Sequence, residues 1–139
     1  MGFLSSIDIS GSALTAQRLR MDVISENIAN AETMMTDEGT PYRRKVCVMG
    51  ERQSFSSLLD GEMGKGVMVT DIIKDDSDFE LEYDPDNPLA NEDGYVLMPN
   101  VDEVEEIIDL MEATRSYEAN VTALNATKNM AAKALSIGD

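Results

Sequence analysis

The sequence predicts an α+β protein of elongated form, with N- and C-terminal helices forming a coiled-coil-like bundle and a small β-rich central region. Three observations predict it. The stretch from Asn100 to about Leu135 holds no Gly and no Pro and carries apolar residues at helical spacing. Helices in compact domains mostly run 8–20 residues, and longer periodic runs point to coiled coils or repeats. At about 1.5 Å per residue this one is on the order of 50 Å long. A shorter apolar helical stripe lies before residue 33, and the centre alternates apolar and polar residues between Gly and Pro breaks, the pattern of strands. The expected organisation is an N-terminal helical segment over 1–33, an acidic β-rich segment over 34–99 and a long helix over 100–139.

In the first segment, Phe3, Leu4, Ile7 and Ile9 precede a Ser/Gly step, and a helix is expected from about Ser12 to Asn30. Leu14, Met21 and Ile28 recur at seven, with Ile24 and Ala31 on the neighbouring row, and Ala13 and Ala16 permit close approach. This is amphipathic, coiled-coil-like spacing. Asn27 and Asn30 are candidates for chain-end hydrogen bonds or for a subunit contact.

Gly39 and Pro41 mark a loop. Tyr42 to Gly50 reads as a strand with Val46 and Val48 on one face. Phe55, Leu58 and Leu59 form an apolar cluster, and Gly61, Gly64 and Gly66 open a second strand over Val67 to Ile73. That glycine run lacks the full phosphate-cradle pattern, because Lys65 is followed by Gly66; a tight turn is the expectation. Residues 75–93 hold nine acids and no base. Within them Asp78, Glu80, Glu82 and Asp84 alternate with Phe79, Leu81 and Tyr83, which fits a strand with one wet acidic face. A calcium loop needs oxygens at fixed steps, a central Gly and a terminal Glu, and no register here supplies all three. Pro85 and Pro88 make a rigid turn before a short extended run, Tyr95 to Met98.

The long helix is expected to start at an Asn100 N-cap with Glu103 three residues on, a capping-box arrangement. Asp102, Glu103, Glu105 and Glu106 crowd the first turns, where the helix dipole favours negative charge. One stripe runs through Val104, Ile107, Ile108 and Met111 and continues through Thr114, Tyr117, Val121 and Leu124 to Ala131 and Leu135. A second, Leu110, Tyr117, Leu124 and Ala131, is spaced by seven. Two overlapping stripes make a wide apolar face, which requires more than one partner helix.

Composition excludes several functions. The 139 residues carry 27 acids against 11 bases, a net charge of −16. Nucleic-acid binding needs a basic footprint, and only Arg43, Arg44 and Lys45 cluster. The same charge disfavours anionic membranes. The chain has no His and one Cys, Cys47, which removes the Ser-His-Asp constellation and the common His and Cys metal sites; Cys47 is expected to be a buried thiol. No run approaches the 18 apolar residues of a membrane span, and no basic leader with an apolar core opens the chain. The ten Met residues suit irregular helix seams. No cofactor, metal, small-molecule substrate or nucleic acid is expected. An enzyme lacks a complete motif, and an interaction module with dispensable ends is the competing reading.

Four stretches carry a resemblance: SALTAQRLRMDVISENIANAET (12–33), GTPYRRKVCVMGE (39–51), YDPDNPLANEDGYVLMPNVD (83–102) and MEATRSYEANVTALNATKNM (111–130). Together they resemble the flagellar basal-body rod protein family, in its proximal-rod branch. The pattern departs at Met34 and Met35 and in the acidic DDSDF stretch (75–79). The resemblance implies a non-enzymatic subunit of a hollow helical rod that transmits torque from motor to hook and filament. Its implied partners are other flagellar rod subunits, copies of itself in a helical assembly, and the flagellar export apparatus, through which it would pass without a cleaved signal peptide. The implied location is the basal body, in the rod crossing the periplasmic space. The expected assembly-interface residues are Leu14, Met21, Ile24 and Ile28 on the first helix, with Ile108, Met111, Tyr117, Val121, Leu124 and Ala131 on the second.

Overall fold

The computed structural model describes residues 3–52 and 66–137; the Phe55, Leu58 and Leu59 cluster, Gly61 and Gly64 lie outside them. Helix α1 spans Phe3–Ala29, so it passes through Gly11 and begins well before Ser12. Four strands follow: β1 (Lys45–Glu51), β2 (Val67–Lys74), β3 (Glu80–Tyr83) and β4 (Tyr95–Met98). Helix α2, Glu103–Ile137, is 35 residues long. Together the elements give the α+β arrangement of terminal helices and a small β-rich centre.

The helices pair antiparallel. The end of α1 meets the start of α2, where Asn27 Nδ2 donates to Glu106 Oε2 at 3.0 Å. Further along, Arg20 contacts Asp109 at 3.3 Å and Glu112 at 3.6 Å, and the Thr114 hydroxyl faces the Met21 sulfur at 3.6 Å. On α1 the innermost residues are Ala16, Val23, Ile24 and Asn27, and Ala31 is buried just past its end. The predicted row of Leu14, Met21 and Ile28 is only half-buried. The helix is turned so that Asn27 faces inward, because its amide meets hydrogen-bond partners there that an Ile could not use.

The strands form two separate antiparallel ribbons, β1–β2 and β3–β4. The first lies against α1 and carries a bulge between Val48 and Met49. Its start is pinned to the helix: the Val67 N–H donates to Ser12 Oγ at 3.1 Å, while Ser12 itself donates to Ile9 O. Gly66 is required at that approach, since it has φ +128 and an added Cβ would lie 2.2 Å from Ser12 Oγ. The second ribbon pairs Leu81 with Leu97 and Tyr83 with Tyr95. Gly94, at φ +81, closes the turn into β4 where a Cβ would meet the Tyr83 ring at 3.0 Å.

Two local expectations are corrected. The N-cap of α2 is Asp102, whose Oδ1 accepts from Val104 N at 2.8 Å and Glu105 N at 3.2 Å. Asn100 instead crosses to the strand region, accepting from Arg44 N and donating to Ser77 Oγ. A backbone amide two elements away competes for that side chain, a contact invisible in local spacing. Second, the apolar face of β3 does not turn inward: Leu81 and Tyr83 are 64% and 65% exposed. A two-stranded ribbon cannot bury a face without a layer against it, and the chain places its covering layer on the Val96 side, where Val96 is buried.

Candidate assembly surface

The helix pair is locked at one end by a buried polar clasp. Asn27 and Glu106 are each 1% exposed. The Asn27 amide donates to Lys45 O and to Glu106, and its Oδ1 accepts from Tyr42 OH and Lys45 N, both at 2.9 Å. All four hydrogen-bonding positions of the amide are thereby used. The other Glu106 oxygen accepts from Arg44 Nε at 2.5 Å. Arg44 also faces Asp109 at 3.4 Å and Asp75 at 3.9 Å.

Electrostatics follow from this packing. Burial works against the Arg44 charge, yet the Glu106 hydrogen bond and carboxylate, with Glu105 and Asp109, raise its pKa further. The Tyr42 hydroxyl is pushed up to about 12 by burial and then by Glu26 and Glu106. Burial raises the Cys47 thiol, against the pull of Arg20; Cys47 is half-buried rather than buried. Backbone donation from Ser77 holds the Asp75 carboxyl low.

Beyond the clasp, one face of α2 follows the 4-3 spacing of a coiled-coil seam. Glu106, Leu110, Ala113, Tyr117, Asn120, Leu124, Thr127 and Ala131 are buried or half-buried. The 4-3 alternation places them on one stripe. Burial fades along it. No described residue of α1 before Ala16, and none of α2 after Ala113, is fully buried.

The other apolar stripe of α2 is uncovered. Val104, Ile107, Ile108 and Met111 are 67%, 48%, 59% and 49% exposed. The ten sequence-predicted residues therefore divide. Ile24 is buried, and Leu14, Met21, Ile28, Tyr117, Val121, Leu124 and Ala131 are half-buried along the helix pair, whereas Ile108 and Met111 face outward. The chain half-covers the seven-spaced stripe of α2 and leaves the N-terminal part of the other, Val104 to Met111, free. Sequence reading missed Arg20, Tyr42, Arg44 and Glu106. Their only signal is charge at seam positions, Arg20 and Glu106, together with the basic run before β1. Among the described residues no group of His, Cys, Asp and Glu is arranged to hold a metal ion, and no helix is long and apolar enough to cross a membrane.

Comparison with known proteins falls on the same elements. Residues 7–34 match the family described as Flagella basal body rod protein. Residues 92–137 match the family described as Flagellar basal body rod FlgEFG protein C-terminal. The chain is 54% identical to the flagellar basal-body rod protein FlgC of Bacillus subtilis, over 96% of each chain. It is 44% identical to that of Borreliella burgdorferi, over 99% of this chain and 98% of the relative. The Salmonella typhimurium FlgC is 42% identical over 99% of both.

Proposed function

The chain belongs to the FlgC family of flagellar basal-body rod proteins, and on that premise we propose that it assembles helically through its terminal helices and transmits torque from motor to hook and filament. It is a structural, non-catalytic subunit of the basal body. In this reading 1–33 and 100–139 form the inner helical layer, and 34–99 forms the outer part. Of the ten expected interface residues, Ile108 and Met111 meet neighbouring subunits, while Leu14, Met21, Ile24, Ile28, Tyr117, Val121, Leu124 and Ala131 join the two helices that present them. Neighbours are other rod subunits and further copies of the chain. The rod crosses the periplasmic space, and the subunit reaches it through the flagellar export apparatus.

One observation carries this reading: the uncovered stripe Val104, Ile107, Ile108 and Met111 on a helix whose opposite seam is already occupied. Burying a fully exposed aliphatic side chain yields about 1.5–3 kcal/mol; these four are about half to two-thirds exposed, so each supplies a corresponding share and together they drive neighbours to dock. The test is Ile108→Glu. That side chain is exposed, so the purified variant keeps its circular dichroism and melting temperature. Incorporation into basal bodies and swimming are lost. Asp78→Asn, on an exposed acid, leaves swimming intact. Normal swimming of Ile108→Glu would overturn the assignment of this stripe to assembly.

A further inference from the structure

The outer face of the β3–β4 ribbon is apolar, open and edged with acids. Leu81, Tyr83, Tyr95 and Leu97 share that face through their cross-strand pairing, and each is 42–65% exposed. Leu81 lies between two grooves. One, of about 320 Å³, takes in Met34, Met35 and Leu89 and has no charged residue in its lining. The other, of about 490 Å³, is lined in part by Glu32, Glu80, Glu82 and Glu103. No Lys or Arg occurs between Asp75 and Thr114. Arg43, Lys45 and Lys74 border the neighbouring loop, and each is engaged within the chain. Lys74 pairs with Glu38 and Lys45 with Glu26. Arg43 lies 4.4 Å over the Phe79 ring and donates to the Asp75 and Ser77 carbonyls. Among the described residues Glu80, Glu82, Asp84, Asp86, Glu92 and Asp93 make no ion pair. An apolar patch rimmed by polar groups marks a contact site, and this rim selects for positive charge.

The far end of α2 has the complementary character. From Ala119 to Gly138 there is no acid. Met130 and Leu135 are 64% and 77% exposed. Lys128 and Lys133 are exposed too, and among the described residues neither is in an ion pair. Helical spacing sets Lys133 beside Met130, three residues on, and Lys128 on the face of Leu135, two turns back. Other basic stretches of the chain offer less. Arg44 is held in the clasp, and Arg20 is held by Asp109 and Glu112. Arg18 is exposed, but its apolar neighbours are not: Leu19 is 37% exposed and Leu14 half-buried.

These two surfaces cannot meet within one molecule. Glu103 lines the ribbon's acidic groove, and α2 runs unbroken from there to Ile137. Met130 therefore lies about 40 Å along the axis from its own ribbon. We infer that the Lys128–Leu135 end of α2 in one copy docks on the β3–β4 face of a second copy, apolar side chains on Leu81 and Leu97 and lysines towards Glu80 and Glu82. Complementary charge fixes such a pairing and suppresses others. The exposed stripe Val104 to Met111 is a poorer seat for the same segment, because Arg115 stands on its line, four residues after Met111. The inference rests on the rod-subunit reading and deepens it, naming the two surfaces that one copy offers the next. The two readings fail separately: association of the purified chain is measured without a rod, whereas Ile108→Glu is read in basal bodies.

The test is sedimentation velocity on the purified full chain at concentrations up to about 1 mM. The chain self-associates in this range, and less so as salt rises. Lys128→Glu with Lys133→Glu abolishes association. So does Glu80→Lys with Glu82→Lys, although that change reduces the repulsion between whole chains. A chain with all four reversals keeps the net charge of −16 and associates again. Leu81→Thr with Leu97→Thr, which alters no charge, weakens association at least about tenfold. All six side chains are exposed, so circular dichroism of each variant matches the parent. The contact joins unlike surfaces, which gives a second measurement. Mixed together, the Lys128→Glu, Lys133→Glu chain and the Leu81→Thr, Leu97→Thr chain pair with each other, since each keeps the half that the other lacks. Association lost in Ile108→Glu but kept in the Glu80→Lys, Glu82→Lys chain would move the tail to the helical stripe and overturn the inference. A four-reversal chain that fails to associate would overturn it as well. So would a parent chain monomeric throughout, since the ribbon would then belong to an unlike protein.

Discussion

Of the four acids that open α2, Asp102, Glu103 and Glu105 face water, and Glu106 is buried. Its carboxylate is held by Arg44 on one oxygen and by Asn27 on the other. Removing one partner of a buried pair is strongly destabilising because the other is stranded. Glu106→Ala should therefore lower stability by about 3 kcal/mol, measured by urea unfolding; Glu106→Gln, which keeps an acceptor for Asn27, should lose less. Tyr42 makes the clasp sensitive to alkali. Its folded pKa, about 12, lies above the ordinary value of about 10, so the fold favours the neutral phenol. That contribution is complete below pH about 10 and is lost as pH rises through about 12. Unfolding free energy should fall over this window, and Tyr42→Phe should make the fall shallower. The same substitution removes one donor to Asn27 and should cost about 1 kcal/mol at neutral pH.

At the scale of single elements, α2 depends on one capping residue. Asp102 satisfies the Val104 and Glu105 amides, and losing such a cap costs about 1 kcal/mol. Asp102→Ala should shift the urea midpoint accordingly and leave the β3–β4 ribbon intact. Asn100→Ala should instead disturb Arg44 and Ser77, the partners it bonds, read as amide chemical-shift changes there rather than at the helix start. Both helices were legible from periodicity, since an apolar repeat records which faces avoid water. The cap was not, because Asn100 and Asp102 are both good capping residues and only a long-range bond chooses between them. Helix rotation was hidden for a similar reason. Leu14, Met21 and Ile28 form the more apolar row, yet Arg20 and Asn27 turn inward because their partners come from β1 and α2. On the candidate surface, Ile108 and Met111 were legible as apolar stripe residues. Their exposure depends on which of two stripes α1 takes, and residue spacing alone does not decide that.

Across the whole molecule, burial is graded. The clasp end holds the fully buried residues, while the far ends of both helices are sealed only by half-buried side chains. Local opening free energy tracks such burial. Hydrogen exchange should be fastest in residues 3–15 and 114–137 of the helices and slowest around Val23, Asn27, Glu106 and Ala113; uniform protection along both helices would contradict the gradient. The clasp has one more consequence, for the order of folding. Asn27 and Glu106 are 79 positions apart. Closing a flexible loop of that length costs about 4 kcal/mol in chain entropy. A chain that emerges N-terminus first presents α1 long before its partner, and the contact cannot form until residue 106 is free. Until then α1 has only the β1–β2 ribbon and the Tyr42 loop to pack against, and helices short of tertiary contacts are marginal in water. The topology thus delays closure of the clasp until 106 of the 139 residues have emerged, which leaves the growing chain pliable for most of its synthesis.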